Sequence, residues 1–216
     1  MKRYSIRHGL HAAETNGRFV FLDVDADRYF CLPDKLEKLF QCAAAGQAQT
    51  SGEVQPLLQR CILVASEAGA QSRGRPQPLR SSLLEDPDAR IPALPSGAAL
   101  LGLLRACAEE HLLSFKSRID RARLTKAAMS NRAPSTSAGA DALRFLAARR
   151  LVRSRDKCLR ESMALFAFLV RRGHHAELVI GVTMDPFSAH CWVQHGAVVL
   201  NDRLDHAASH TPILAI

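Results

Sequence analysis

Nine consecutive residues, 162–170, spell Ser-Met-Ala-Leu-Phe-Ala-Phe-Leu-Val and place apolar side chains on every face of a helix. A helix of this kind is normally central to a domain, because it has no polar face to turn toward water. Arg171-Arg172-Gly173 predicts its end, with cations at the negative end of the helix dipole and glycine as the C-cap. The rest of the domain must be arranged around this segment.

Cys158 lies at the predicted start of this helix. Asp156 is the predicted N-cap, so Cys158 falls in the first turn. The free N–H groups and the positive dipole end of a first turn favour thiolate over thiol, and Lys157 adds positive potential. The same N–H groups are suited to hold a developing oxyanion. Cys158 is therefore the candidate nucleophile.

The segments after the helix predict two strands, the second of which carries a base. Residues 176–184 are a β-branched run, and residues 188–194 form the next strand. In that strand His190 and Trp192 share one face, because side chains alternate along a strand. His190 is the candidate base. Trp192 is predicted to be a core or cleft-wall aromatic and is counted among the candidate substrate contacts.

The loop after this strand decides which residue orients His190. A three-residue loop at 195–197 places Asp202 opposite His190, with Cβ atoms roughly 5 Å apart. A two-residue loop predicts Asn201 there instead, and Asp205 is a rival by nearness in sequence. Asp202 is the preferred orienter, which gives the order nucleophile, base and acid.

The first 66 residues predict a small winged-helix-like unit of three strands plus helices. Pro33 ends the third strand and suits the first turn of a helix, and a second helix is predicted over 54–66. Residues 67–96, rich in Pro, Gly, Ser and Arg, are predicted to be a linker. The strands are predicted at residues 3–8, 18–24 and 28–32.

Residues 97–216 are predicted to form a second domain, which makes the chain α+β. Helical periodicity returns at 100–112, and a further helix over 141–152 leads to Cys158. The hydrophobic content of 47% and charged content of 23% are those of a globular protein.

The formal net charge of +8 could attract nucleic acid, an acidic peptide or an anionic membrane. A winged-helix nucleic-acid-binding protein is therefore an alternative. Its recognition helix should carry several Arg, Lys or Asn side chains, whereas residues 54–66 carry only Arg60 as a cation. No 18-residue apolar span and no signal-peptide core is present. We expect a cytoplasmic protein without nucleic-acid or membrane partners.

The six cysteines lack the CxxC spacing of a zinc ribbon and the clustering of a disulfide framework, and no HExxH motif occurs. No metal is predicted. Cys191 is predicted to be a packing residue, and His206 and His210 are predicted to be loop residues.

Five short motifs between residues 157 and 202 resemble those of a known family. They are KCLRES at 157–162, RG at 172–173, LVIGV at 178–182, PFSAHCWV at 186–193 and LND at 200–202. With these motifs the segment is similar to the C-terminal domain of lasso-peptide B proteins, the transglutaminase-like cysteine peptidases that remove the leader from a lasso precursor. The resemblance implies a papain-like or transglutaminase-like peptidase domain whose catalytic residues are Cys158, His190 and Asp202.

The N-terminal unit resembles the leader-recognition element fused to some of these peptidases, which binds the leader as an added strand. Only two helices are predicted where that element usually has three. The edge strand and flanking helix would supply the leader contacts, namely Arg28, Tyr29, Phe30, Cys31, Leu32, Leu57 and Leu58.

The family resemblance also implies partners and chemistry. The partners would be a precursor peptide and a lasso cyclase of the asparagine-synthetase-like type. Some members depend on ATP, but no phosphate-binding glycine loop is present, so no cofactor is predicted. Acyl transfer to an amine, as in transglutaminases, is an alternative to hydrolysis, since both reactions pass through a thioester.

Overall fold

A computed structural model describes residues 3–45, 51–66, 75–129, 133–152 and 158–216. The chain divides into two compact units, residues 1–75 and 76–216. It is mixed α+β, as predicted, with a strand-rich N-terminal region. In the part of the chain that the structure describes, no helix combines the length and the apolarity that crossing a bilayer requires.

The first unit contains a three-stranded antiparallel sheet in the order β2-β3-β4, and β1 pairs antiparallel with β5. Its core is built around Phe21, Phe40 and Leu57, with Phe21 and Phe40 in an edge-to-face contact at 4.9 Å. The elements are β1 (Arg3–Ile6), β2 (Leu10–Thr15), β3 (Arg18–Asp23), β4 (Arg28–Cys31), α1 (Asp34–Ala44), α2 (Ser51–Gln59) and β5 (Leu63–Ser66).

The three-stranded sheet is not the predicted one. The strand predicted at 3–8 pairs with β5, and β2, which the prediction omits, takes its place beside β3. Asn16 and Gly17 join β2 to β3 with φ values of 51° and 75°. Two positive φ values are what a two-residue type I′ hairpin requires, and Asn-Gly is its strongest sequence signal.

The helix predicted over 54–66 is wrong in its second half. α2 ends at Gln59, and the Ile62 N–H donates to the Leu57 carbonyl at 2.9 Å across Cys61, whose φ is 53°. The chain then enters β5. The short apolar run of β5 fits a helix and a strand equally well, and the pairing of this segment with β1 makes it a strand.

The second unit contains a five-stranded sheet in the order β10-β7-β8-β9-β6, in which β6 and β9 are parallel and the other pairs antiparallel. A 3-10 turn at Leu83–Glu85 follows β6. The remaining elements are β6 (Ser81–Ser82), α3 (Gly97–Leu112), α4 (Phe115–Ala127), α5 (Ala138–Arg149), α6 (Cys158–Arg171), β7 (Glu177–Thr183), β8 (Ser188–His195), β9 (Val198–Val199), α7 (Leu204–Ala208) and β10 (Thr211–Ala215).

Helix α6 is the centre of this unit, as its apolar sequence predicts. Leu165 and Leu169 are fully buried, and the helix contacts α3, α4, α5 and two strands, β7 and β8. Gly173 follows its last residues with a φ of 88°, which confirms the predicted glycine C-cap. In the second turn of α6 the Ser162 hydroxyl donates to the Cys191 carbonyl at 2.9 Å, which joins the first half of the helix to β8, the strand that carries His190.

Of the predicted linker at 67–96, residues 76–96 belong to the second unit, and residues 67–74 lie outside the described residues. β6 lies inside this stretch and pairs with β9. Pro and Gly content alone predicts a loose connection, but a two-residue strand needs only a neighbouring strand with free backbone groups.

Candidate active site

Cys158 is the first residue of α6. The predicted cap Asp156 and the neighbouring Lys157 lie outside the described residues. The sulfur accepts hydrogen bonds from the backbone N–H groups of Leu159 and Cys191, one from its own helix and one from β8. The thiol is thus held where the head of α6 meets the sheet.

His190 lies on β8, opposite Gly181 of β7. Its Nε2 is 2.6 Å from Asp202 Oδ2, and its side chain is hydrogen-bonded to the Cys158 thiol. Because Nε2 is hydrogen-bonded to the Asp202 carboxylate, Nδ1 is the ring nitrogen left to form the hydrogen bond with the Cys158 sulfur. The structure therefore brings the three predicted residues together in the order sulfur, imidazole, carboxylate.

Asp202 is held by several donors besides His190. Its Oδ1 accepts the Arg203 N–H at 2.8 Å, and His206 Nδ1 lies 2.8 Å from Oδ2. Its backbone carbonyl accepts the Ser82 hydroxyl at 2.5 Å. These contacts fix the carboxylate in space, which fixes the orientation and tautomer of the imidazole in turn.

The route by which Asp202 reaches His190 differs from the predicted one. The loop has two residues, Gly196 and Ala197, since His195 pairs with Val198. Gly196 has a φ of 60°, and glycine at the first central position permits such a tight turn. The ladder ends at β9, so Asp202 approaches His190 from the following loop and is not its cross-strand partner.

The rival orienters have other partners. Asn201 accepts the Val193 N–H at 2.8 Å and donates to Ser162 Oγ at 2.9 Å, so it ties β8 to α6. Asp205 accepts from the Arg203 side chain and from the His206 N–H. Asp202 is the acid in contact with the imidazole.

The electrostatics of the three groups favour a charged pair. Burial opposes ionisation of Cys158, but the hydrogen bond and charge of His190, with the two N–H donors, outweigh it and hold the pKa of the thiol below its usual value. Burial also opposes charge on His190, yet Asp202 and Cys158 raise its pKa to about 9. Burial works against ionised Asp202 as well, and its donors still lower its pKa to about 2. The arrangement suits a thiolate, an imidazolium and a carboxylate at neutral pH.

Trp192 does not line an open cleft. Its side chain is 1% exposed, stacks near-parallel to His190 at 6.2 Å and donates Nε1–H to Gln194 at 3.1 Å. A Cβ on Gly181 would lie 2.8 Å from its ring, so glycine makes room for the indole. Trp192 thus takes the core position, one of the two predicted for it, and packs against His190. Its side chain has almost no exposed surface for the predicted substrate contact. Cys191 is 2% exposed and packs, and burial raises the pKa of its thiol.

Two further histidines, His206 and His210, lie beside His190. The rings of His206 and His210 lie 4.3 and 5.3 Å from the His190 ring. One ligand atom each of His190, Asp202 and His206 lies within 4.8 Å of the others, an arrangement able to hold a metal ion. His190 Nε2 and His206 Nδ1 each contact Asp202 Oδ2, and these two hydrogen bonds bring the three side chains together. The i, i+4 spacing of Asp202 and His206 at a helix start is the sequence signal for their contact.

The predicted leader contacts occupy two kinds of position. Among the described strands, β4 pairs with β3 alone, so Arg28, Tyr29, Phe30 and Cys31 lie on a sheet edge. Leu58 is partly buried. Leu32 and Leu57, 4% and 0% exposed, are core residues whose side chains offer no surface to a peptide, since they pack against the rest of the unit.

Comparison with protein families gives one informative match. A family model described as a transglutaminase-like superfamily matches residues 103–215, which is more than half of the 216 residues. The match includes all three members of the site. Comparisons with curated proteins and with solved structures gave no significant match.

Proposed function

Because the chain belongs to the transglutaminase-like superfamily, we propose that it is a cysteine peptidase that removes the leader of a ribosomally made lasso-peptide precursor. The observation that carries the proposal is the position of His190 between the Cys158 thiol and the Asp202 carboxylate. Enzymes of this superfamily typically use a cysteine. The choice of a lasso precursor follows from the motifs that resemble lasso-peptide B proteins.

The proposed reaction has two halves. The Cys158 thiolate attacks the carbonyl carbon at the leader–core junction, and His190 Nδ1–H protonates the departing core amine as the carbon–nitrogen bond breaks. This leaves the leader as a thioester. Water then attacks the thioester, gives its proton to His190, and releases the leader acid and the thiolate. Asp202 holds the imidazole through both halves and does not itself react.

Residues 1–66 are proposed to recognise the leader. The sheet edge at β4 has backbone groups able to accept an added strand, with Tyr29 and Phe30 partly exposed beside them. Residues 97–216 would then carry the chemistry. Fluorescence anisotropy of a labelled leader peptide tests this role, with tight binding expected for the full chain and none for a chain that lacks residues 1–66.

The proposed partners are the precursor and an asparagine-synthetase-like lasso cyclase that closes the ring on the freed amine. We place the reaction in the cytoplasm, where such precursors are made. ATP, on which some related peptidases depend, would need a phosphate-binding loop. None of the helix starts in the described ranges follows a glycine-rich loop, so no step is assigned to a nucleotide.

The decisive experiment incubates purified wild type and Cys158→Ala with short peptides encoded beside the gene, and follows products by mass spectrometry. Wild type should yield two fragments whose masses sum to the precursor plus water, and Cys158→Ala should yield neither. Equal turnover by both proteins would exclude the mechanism. Glycine methyl ester in excess separates the alternative, because a transferase would attach it to the leader.

A further inference from the structure

His206 is a second imidazole on the carboxylate that orients His190. Its Nδ1 lies 2.8 Å from Asp202 Oδ2, the same oxygen that lies 2.6 Å from His190 Nε2. An ionised carboxylate only accepts hydrogen bonds, so both ring nitrogens carry protons. Two imidazoles therefore share one oxygen atom.

The two rings also contact each other. Their centroids are 4.3 Å apart and their planes are tilted by 48°. The His206 side chain is 53% exposed, whereas those of His190 and Asp202 are 13% and 19% exposed. His206 therefore contributes to the burial of the His190–Asp202 bond while itself remaining in contact with water.

The start of α7 sets the position of His206. Asp202 and His206 are four residues apart, a spacing that brings two side chains to one face of a helix. The Arg203 N–H holds the other carboxylate oxygen, Oδ1. The segment that supplies Asp202 thus fixes both of its oxygens, independently of His190.

We infer that His206 is a positioning residue: it fixes the Asp202 carboxylate and, by sharing Oδ2, limits how strongly Asp202 holds the protonated His190. Its part in catalysis rests on the proposed function. A hydrogen bond to an ionised carboxylate makes that carboxylate a weaker base. Without His206, the imidazolium of His190 is held more tightly and loses its proton at a higher pH.

Several charged and titratable groups face His206. Asp205 accepts its backbone N–H at 2.9 Å, and His210 Nδ1 lies 2.9 Å from its carbonyl oxygen. The test changes His206 alone and leaves these groups in place. The charged and titratable groups around His206 are Asp202, Arg203 and Asp205 of the same segment, His210 after α7, His190 of β8, Cys158 of α6 behind His190, and Glu85, which accepts the Leu204 N–H.

The experiment is an NMR titration of the full chain labelled with ¹⁵N-histidine, in wild type, His206→Ala and His206→Asn. The His190 signals are identified by their loss in His190→Gln, and a chelator keeps metal ions from the cluster. The asparagine amide nitrogen occupies the branch position of Nδ1 and donates the same hydrogen bond. We expect His206→Ala to raise the pKa of His190 by about half a unit, and His206→Asn to leave it near the wild-type value.

A kinetic measurement on the precursor accompanies the titration. His206→Ala should lower kcat about threefold with little change in KM, because a more tightly held imidazolium gives its proton to the departing amine less readily. His206→Asn should recover most of that loss. Thermal unfolding of each variant identifies any that fail to fold. If His206→Ala is one of them, His206→Phe, which keeps a ring over the site but cannot donate a hydrogen bond, should raise the pKa of His190 in its place.

An unchanged His190 pKa in His206→Ala, or the same shift in both variants, would overturn the inference, since the ring would then only cover the site. The titration needs no substrate, so it is independent of the proposed function. A shift as expected, combined with no cleavage of any precursor, would reject the peptidase and leave the positioning role in place.

Discussion

His190–Asp202 and His174–Asp141 are histidine–aspartate pairs of the second unit with opposite surroundings. His190 Nε2 lies 2.6 Å from Asp202, and His174 Nε2 lies 2.8 Å from Asp141. The first pair is 13% and 19% exposed and has a thiol beside the imidazole. The second is 2% and 0% exposed.

The partners of Asp141 explain the difference. Arg172 Nε lies 2.8 Å from Asp141, Arg144 lies 3.1 Å away, and Thr136 donates a hydroxyl at 2.6 Å. Burial disfavours the ionised carboxyl, but these donors hold its pKa at about 2. Through Arg172 and His174, which follow α6, Asp141 joins α5 to the end of α6. The His190–Asp202 pair thus has the surroundings that the proposed chemistry needs, a thiol beside the second ring nitrogen, whereas the His174–Asp141 pair is buried among cations.

Replacing each histidine by alanine should give the largest difference between the two pairs, one variant losing activity and the other losing stability. His190→Ala should lower precursor cleavage about 10⁴-fold or more, because no base remains for the thiol. His174→Ala should instead lower the free energy of unfolding by about 2 kcal/mol, since a buried carboxylate loses a donor. Cleavage rates and urea unfolding of both variants check this. A large loss of cleavage in folded His174→Ala would contradict the distinction.

Replacing each aspartate by asparagine should again affect activity at one pair and stability at the other, by smaller amounts. Asp202→Asn should reduce cleavage about 10²- to 10³-fold, because Asp202 orients and does not react. Asp141→Asn should cost about 2–3 kcal/mol of stability, as two partly exposed arginines lose their counter-ion. The comparison fails if Asp202→Asn unfolds the protein while Asp141→Asn abolishes cleavage.

Lowering the pH should remove the contribution of the His174–Asp141 pair to the free energy of unfolding. The pKa of Asp141 is about 2, below its ordinary 3.8, so its contribution of about 2.5 kcal/mol is complete above pH 4 and is lost as the pH falls through 2. Urea unfolding of wild type between pH 5 and 2 should show this loss, and Asp141→Asn should show a flatter dependence. Identical slopes would mean that the carboxylate is not stabilised in the folded state.

Thiol alkylation should show the smallest effect. Iodoacetamide should modify Cys158 readily at pH 7. His190→Ala should slow this modification about tenfold, because the pKa of the thiol rises when the imidazolium is removed. Cys191 serves as an internal control, since it is buried and its pKa is raised. Peptide mass spectrometry gives both rates. Equal Cys158 reactivity in the two proteins would rule out the charged pair.

Local patterns predicted the parts of the site that depend on one element. The apolar run of α6 predicted a central helix, and Gly173 predicted its end. Alternation along β8 predicted that His190 and Trp192 share a face, and the two rings stack. By contrast, the loop length at 195–197 was wrong, because one extra residue shifts a register without changing the hydrophobic pattern.

The sequence by itself determined the three candidate residues and their order, since a cysteine at the start of a helix, a histidine in a strand and an acid after it are properties of short segments. Only the tertiary structure decided how the acid reaches the base. Ser82, 120 residues before Asp202, holds its carbonyl, and His206 shares its carboxylate. Such contacts depend on which distant segments the sheet brings together, and no local periodicity records that.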